Sequence, residues 1–266
     1  VLMVAGGYQH KPELPFVPGM EGAGTIDAVG ADVTNWKPGD RVIFGIRPGA
    51  FAEYVKLKAS GQLMRLPDDW SFAEGSGFRV AAQTAFHSLV HRAALKKGET
   101  LLVHGASGGV GFAAVQLGKH LGARVIATGS DDARLAIVRQ GGADEVVNYR
   151  TGDFVAAAKE MTDGKGADVI YDPVGGEVLE KSVRAAAYGA RLLVVGFTSG
   201  APSKLMSNHV LIKGLSVLGV RAGETIRRVS PELGRDYVEE LPRLAALGVM
   251  RPYVSHRFPM EQAADA

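Results

Sequence analysis

The stretch His104-Gly105-Ala106-Ser107-Gly108-Gly109-Val110-Gly111 decides how this chain is read. It follows the apolar run Leu101-Leu102-Val103 and leads into a segment whose Val110, Ala114, Leu117 and Leu121 recur at helical spacing, on one face. The order is strand, glycine turn, helix start. A dinucleotide's pyrophosphate needs backbone N–H groups at a helix N-terminus and no side chain in the way. Gly105, Gly108 and Gly111 give that clearance, and Gly111 lets the helix lie close on the strand; Ala106, Ser107, Gly109 and Val110 complete the candidate cofactor loop. Glycine spacing alone also suits an ordinary tight turn, and the commoner register of the first glycine is absent. The strand before and the helix after carry the cofactor reading.

Outward from this loop, strand-like runs continue at Arg124–Thr128, Glu145–Asn148, Asp168–Tyr171, Arg191–Val195 and Leu215–Val220, with helical patterns between the first five strands, counting Leu101–His104. That alternation predicts an α/β fold with a doubly wound parallel sheet. Gly122, Gly141-Gly142 and Gly189 stand where helices should stop in left-handed caps. Upstream, Pro12, Pro15 and Pro18 hold the chain extended, and Gly22–Val29, Asp40–Phe44 and Phe51–Leu57 read as short strands of a barrel-like unit. Ser71 caps a short helix, and Val80–Leu95 gives a longer one closed by Lys96-Lys97-Gly98. Downstream, Ser230-Pro231 starts a helix that Gly248 ends, and Tyr253–Phe258 reads as a strand returning to the first unit. The expected division is a mostly β domain over 1–83 and 221–266 and a dinucleotide-binding domain over 84–220.

Bulk composition narrows the function classes. With 266 residues, 46% of them hydrophobic and 22% charged, the chain can bury a large core, and 30 Lys plus Arg against 28 Asp plus Glu leave a charge of only +2. No charge run tracks nucleic acid or a membrane surface, and no signal peptide or membrane span is visible. The absence of cysteine excludes disulfides, thiolate chemistry and cysteine-ligated zinc, and suits a cytoplasmic location. Because the chain opens at Val1 and stops in the helix-forming run Met260–Ala266, it is expected to be part of a longer protein.

Eighteen residues past Gly111, where an NAD site carries an acidic side chain for the ribose 2′-hydroxyl, the chain has Gly129. That leaves room for a 2′-phosphate. Ser130 offers a hydroxyl, Arg134 a charged fork and Tyr149 a phenol, which together point to NADPH. The plainer alternative makes Arg134 a solvated helix residue and Tyr149 a half-buried anchor, and the charges of Asp131 and Asp132 oppose a phosphate unless they point away. His87 and His91 have the spacing of two metal ligands, but Ser88 stands where a general base would be and no third ligand follows, so no metal is expected. Glu21 reads as a brace of the β unit before it reads as a catalytic acid.

Pro18-Gly19-Met20-Glu21-Gly22-Ala23-Gly24, Val29-Gly30, Pro38-Gly39-Asp40-Arg41-Val42, the segment 106–111 and Asn148-Tyr149-Arg150 together resemble the medium-chain dehydrogenase/reductase superfamily, in its zinc-free quinone oxidoreductase (zeta-crystallin) branch. The resemblance spans essentially the whole chain and implies a Rossmann domain beside a GroES-like catalytic domain. In zinc-dependent relatives a ligand histidine stands just before the motif's glutamate; here that residue is Met20. The resemblance gives Arg134, in place of the family's lysine, to the 2′-phosphate, with Ser130 and Tyr149 beside it. Gly196 and Phe197 belong to a loop flanking the nicotinamide, Asp172-Pro173-Val174-Gly175-Gly176 to the turn after the fourth strand, and Tyr8 to the catalytic cleft, as a wall or as a hydrogen-bond donor; Leu2 stands where some members have a second tyrosine. The implied activity is NADPH-dependent hydride transfer to a quinone or enone. An enoyl-thioester reductase on the same fold, and a non-catalytic NADPH-binding structural or RNA-binding protein, are the alternatives. The hydrophobic strand near Val210–Val220, an uncovered sheet edge, adds the expectation of a homodimer.

Overall fold

In a computed structural model that describes residues 3–59, 63–230 and 232–264, the chain divides into two units, 1–80 with 236–266, and 81–235. Val1, Leu2, Pro231, Asp265 and Ala266, which enter the reading above, lie outside the described residues.

In the first unit, strands β1 (Glu21–Thr25), β2 (Arg41–Gly45) and β3 (Leu63–Arg65) pair antiparallel in that order, with Ala23 opposite Ile43 and Ile43 opposite Met64. Val42, Ile43 and Phe44 are all buried, so the middle strand supplies the core. Helix α1 (Phe72–Ser76) starts on a capping box: the Ser71 hydroxyl accepts from the Glu74 N–H, and the Glu74 carboxylate accepts from the Ser71 N–H at 2.7 Å. Arg251, from the C-terminal part of this unit, donates to Glu74 at 2.6 Å and to Asp69 at 2.8 Å.

Two expected strands are not formed here. Residues 51–57 are rich in apolar side chains, but the Phe51 N–H donates to the Pro18 carbonyl at 2.9 Å and the segment joins no ladder among the described residues. It lines a cavity of about 1180 Å³ together with β1 and Phe258. Tyr253–Phe258 likewise pairs with no strand among the described residues. In both, apolar and β-branched side chains are present and the hydrogen-bonding partner that makes a strand is not.

In chain order, α2 (Arg79–Phe86) runs into a π-helical turn, His87–Arg92, so the helix expected to reach Leu95 ends earlier. The second unit then alternates β4 (Thr100–Val103), α3 (Gly109–His120), β5 (Arg124–Gly129), α4 (Asp132–Gln140), β6 (Glu145–Asn148), α5 (Phe154–Glu160), β7 (Ala167–Asp172), α6 (Gly176–Ala185) and β8 (Ala186–Val194). After these come α7 (Ser207–Lys213), β9 (Ser216–Gly219), α8 (Ala222–Arg228) and α9 (Leu233–Ala246). Six strands form one parallel sheet ordered β6-β5-β4-β7-β8-β9. Strand β4 is the hinge of the order: the chain proceeds from it to β5 on one side and later to β7 on the other. Leu101, Leu102 and Val103 are wholly buried between the helical layers, which is why this strand reads as an unbroken apolar run. Gly189, expected to end a helix, lies within β8 near a register irregularity against β7 and ends none.

Candidate functional site

At the C-terminal ends of β4 and β5 the glycine segment turns as its residues require. Gly105 has φ +55°, and the Ala106 N–H reaches across to the Thr128 carbonyl at 3.0 Å. A Cβ on Gly111 would stand 2.3 Å from the Gly105 carbonyl oxygen, so turn and helix touch only because that side chain is missing. Gly108 is the N-cap of α3 and brings no capping side chain. The first-turn N–H groups, those of Gly109, Val110 and Gly111, therefore have no acceptor within the helix and open beside the turn. Ala106 is buried, whereas Ser107, Gly108 and Gly109 are exposed.

The neighbouring corner assembles from β5, β6 and the start of α4. The Tyr149 N–H donates to the Gly129 carbonyl at 3.0 Å, which joins two residues the sequence separates. Ser130 follows at the strand end, half-buried; Arg134 lies exposed on the first turns of α4, and Tyr149 is 41% exposed. The Arg134 guanidinium has no hydrogen bond or ion pair with the described residues. Both acids nearby are engaged: Asp131 caps α4 by accepting the Arg134 backbone N–H, and Asp132 accepts from the Asn148 amide, each at 2.8 Å.

On the other side of β4, one carboxylate oxygen of Asp172 accepts from the N–H groups of Val174 at 2.7 Å and Gly175 at 3.0 Å. Its second oxygen is buried with no hydrogen-bond partner among the described residues, and burial raises the carboxyl above its ordinary range. The Gly196 loop lies over this turn, its Ser199 N–H bonded to the Val174 carbonyl at 3.0 Å and Phe197 47% exposed. Expected cofactor residues thus stand at the C-terminal ends of β4, β5, β6 and β8, around the point where the strand order reverses, which is where open α/β sheets bind ligands.

Beneath the loop lies a network the sequence reading left out. His104, wholly buried, has Nδ1 at 2.9 Å from the Thr128 hydroxyl and Nε2 at 2.8 Å from the Ser182 hydroxyl. The only signal in the sequence is a polar residue closing an apolar strand.

In the first unit, Tyr8 is half-buried. Glu21 accepts the Val80 N–H at 2.7 Å; burial raises its carboxyl to about 7 against the pull of that N–H and of Arg79. In the second unit, His87 is pushed down to about 4 by burial and by the neighbouring His91 and Arg92. No group of three or more His, Asp or Glu side chains suited to a metal ion occurs among the described residues. No helix among them is long and apolar enough to cross a membrane.

Comparisons with known proteins agree with this architecture. A model of the alcohol dehydrogenase GroES-like domain matches residues 1–68, and one of zinc-binding dehydrogenases matches 109–237. The chain belongs to the medium-chain dehydrogenase/reductase superfamily, a class of oxidoreductases. Within it, the chain falls in the quinone oxidoreductase, zeta-crystallin-like branch. Quinone oxidoreductase of Homo sapiens is 34% identical over 263 residues, 98% of this chain and 78% of that protein. Quinone oxidoreductase of Escherichia coli, solved in complex with NADPH, superposes with a TM-score of 0.80 at 31% identity, covering 93% of this chain and 76% of that one. The enoyl reductase CurK gives 0.79 at 28% identity, covering 91% and 72%.

Proposed function

We propose that this chain is a zinc-independent, NADPH-dependent reductase that delivers hydride to a quinone or a similarly electron-poor carbonyl or alkene. The observation that carries the choice of cofactor is the corner at Gly129: no carboxylate at the strand end, and an uncommitted arginine, a hydroxyl and a phenol around it. The cradle at Gly111 and the N–H groups at the start of α3 suit a pyrophosphate. Residues 106–111 would hold that group, Ser130, Arg134 and Tyr149 the 2′-phosphate, and Gly196 and Phe197 the nicotinamide end. NADPH, when bound, supplies the hydride, so the protein needs to orient, exclude water and stabilise developing charge. Tyr8 is assigned to that last task by family resemblance, its hydroxyl donating to the acceptor's oxygen.

Met20 at the family's ligand-histidine position and the lack of cysteine support zinc independence. The E. coli relative's complex with NADPH supports the cofactor. CurK's activity favours a second reading, reduction of an enoyl thioester. A homodimer formed through the β9 edge and a cytoplasmic location complete the proposal.

A panel of quinones, enones and enoyl thioesters, each with NADPH and NADH, tests it. The expected result is the highest kcat/KM with a quinone and NADPH, unchanged by a chelator, in protein free of stoichiometric zinc. Turnover confined to enoyl thioesters would move the chain to the second reading. NADPH binding without turnover of any acceptor would make it a binding protein.

A further inference from the structure

The buried imidazole under the glycine turn has a definable protonation pattern. The Ser182 hydroxyl donates its one proton to the Val178 carbonyl at 2.6 Å, so towards His104 it can only accept. Nε2 therefore carries the ring proton, and Nδ1 accepts from the Thr128 hydroxyl. The ring is neutral: it is wholly buried, its partners Thr128 and Ser182 are uncharged, Phe154 packs edge-on at 4.8 Å between centroids, and burial holds its pKa at about 3. The result is a directional chain from β5, through the residue that follows β4, to α6.

Thr128 takes part twice. Its hydroxyl holds His104, its carbonyl holds the Ala106 N–H at 3.0 Å, and the next residue, Gly129, begins the corner assigned to the 2′-phosphate. We infer that His104 is a positioning residue, which through Thr128 and Ser182 fixes the distance between the pyrophosphate loop and the 2′-phosphate corner. The inference rests on the NADPH reading above. A ligand spanning both anchors depends on that distance, whereas one reaching a single anchor does not. Preorganised contacts lose their value when displaced by fractions of an ångström.

The test compares NADPH with adenosine 2′-monophosphate, which reaches only the corner, by calorimetry. Thr128→Val keeps the shape and removes the donor to Nδ1. It should weaken NADPH about tenfold and leave adenosine 2′-monophosphate within about twofold, while Thr128→Ser, which keeps the hydroxyl, should retain wild-type binding of both. Nitrogen NMR of the wild-type ring should show the Nε2–H tautomer, untitrated between about pH 5.5 and 9. Equal weakening of both ligands, or of neither, overturns the inference, as does a ring that titrates in that range or carries its proton on Nδ1. If the wild type binds neither ligand, the NADPH reading itself fails and takes the inference with it. NADPH bound equally by wild type and Thr128→Val sinks the positioning role alone.

Discussion

Gly129 has no side chain where an NAD site would have a carboxylate, and its φ lies outside the left-handed region, so the backbone admits other residues. A Cβ there would meet the Leu135 Cδ2 at 3.0 Å, the movable end of a side chain. Gly129→Asp should therefore fold and shift preference towards NADH, because a carboxylate repels the 2′-phosphate and accepts from ribose hydroxyls. Arg134 is the complementary test. With its guanidinium uncommitted, Arg134→Ala should weaken NADPH by about 1.5–3 kcal/mol and leave NADH nearly unchanged. Measuring kcat/KM for both cofactors decides it: equal losses, or none, would make Arg134 an ordinary solvated helix residue. Gly129, Ser130 and Arg134 were legible because they are neighbours in the chain. The tie from Gly129 to Tyr149 is a backbone bond between strands, and His104 finds its partners 24 and 78 residues away, so neither contact has a local sequence signal.

Elements were legible where burial wrote its own pattern. Strand β4, enclosed on both faces, is a continuous apolar run, and α3 follows it with a helical stripe. Strand β3 has only three residues, and the apolar Val210, Leu211 and Ile212, expected to begin the last strand, lie instead in α7, which buries no residue and so leaves no helical stripe to read. Residues 51–57 mislead in the opposite way, since apolar and aromatic content does not report strand pairing. Helix α1 was announced by Ser71, but the arginine completing its cap comes from position 251. The Arg251 guanidinium, with the Ser71 N–H and hydroxyl, holds the Glu74 carboxyl at about 2, below its ordinary 4.5. Since the folded value is the lower one, this contribution is complete above pH 4.5 and drains away as pH falls towards 2. Glu74→Gln should cost about 1–2 kcal/mol at neutral pH, mostly through the lost ion pair and cap. Calorimetric unfolding at pH 7 and pH 3 checks the sign: the gap between wild type and variant must narrow in acid, and a constant gap would assign the loss to packing.

For the molecule as a whole, the expected homodimer turns on the β9 edge. Strand β9 ends the six-strand order, with no strand on its outer side among the described residues. Beside it, Leu211 is 81% and Tyr188 84% exposed, and Ile212, Met206 and Val217 are exposed as well. A bare edge with apolar flanks is a template for pairing. A two-fold axis perpendicular to it would set β9 antiparallel to its own copy and join both sheets into one of twelve strands, twice six. Four residues of ladder alone fall short of the roughly 1,200 Å² that a stable association buries, so α7 must be covered too. Two replacements then separate the contributions. Val217→Lys sets like charges on facing strands, and Leu211→Ser with Ile212→Ser removes flank area. Sedimentation at micromolar concentration should show a dimer for the wild type and dissociation in both variants, with NADPH binding intact because the cofactor residues lie on other strands. A monomeric wild type, or variants that stay dimeric, would leave this edge to some other cover.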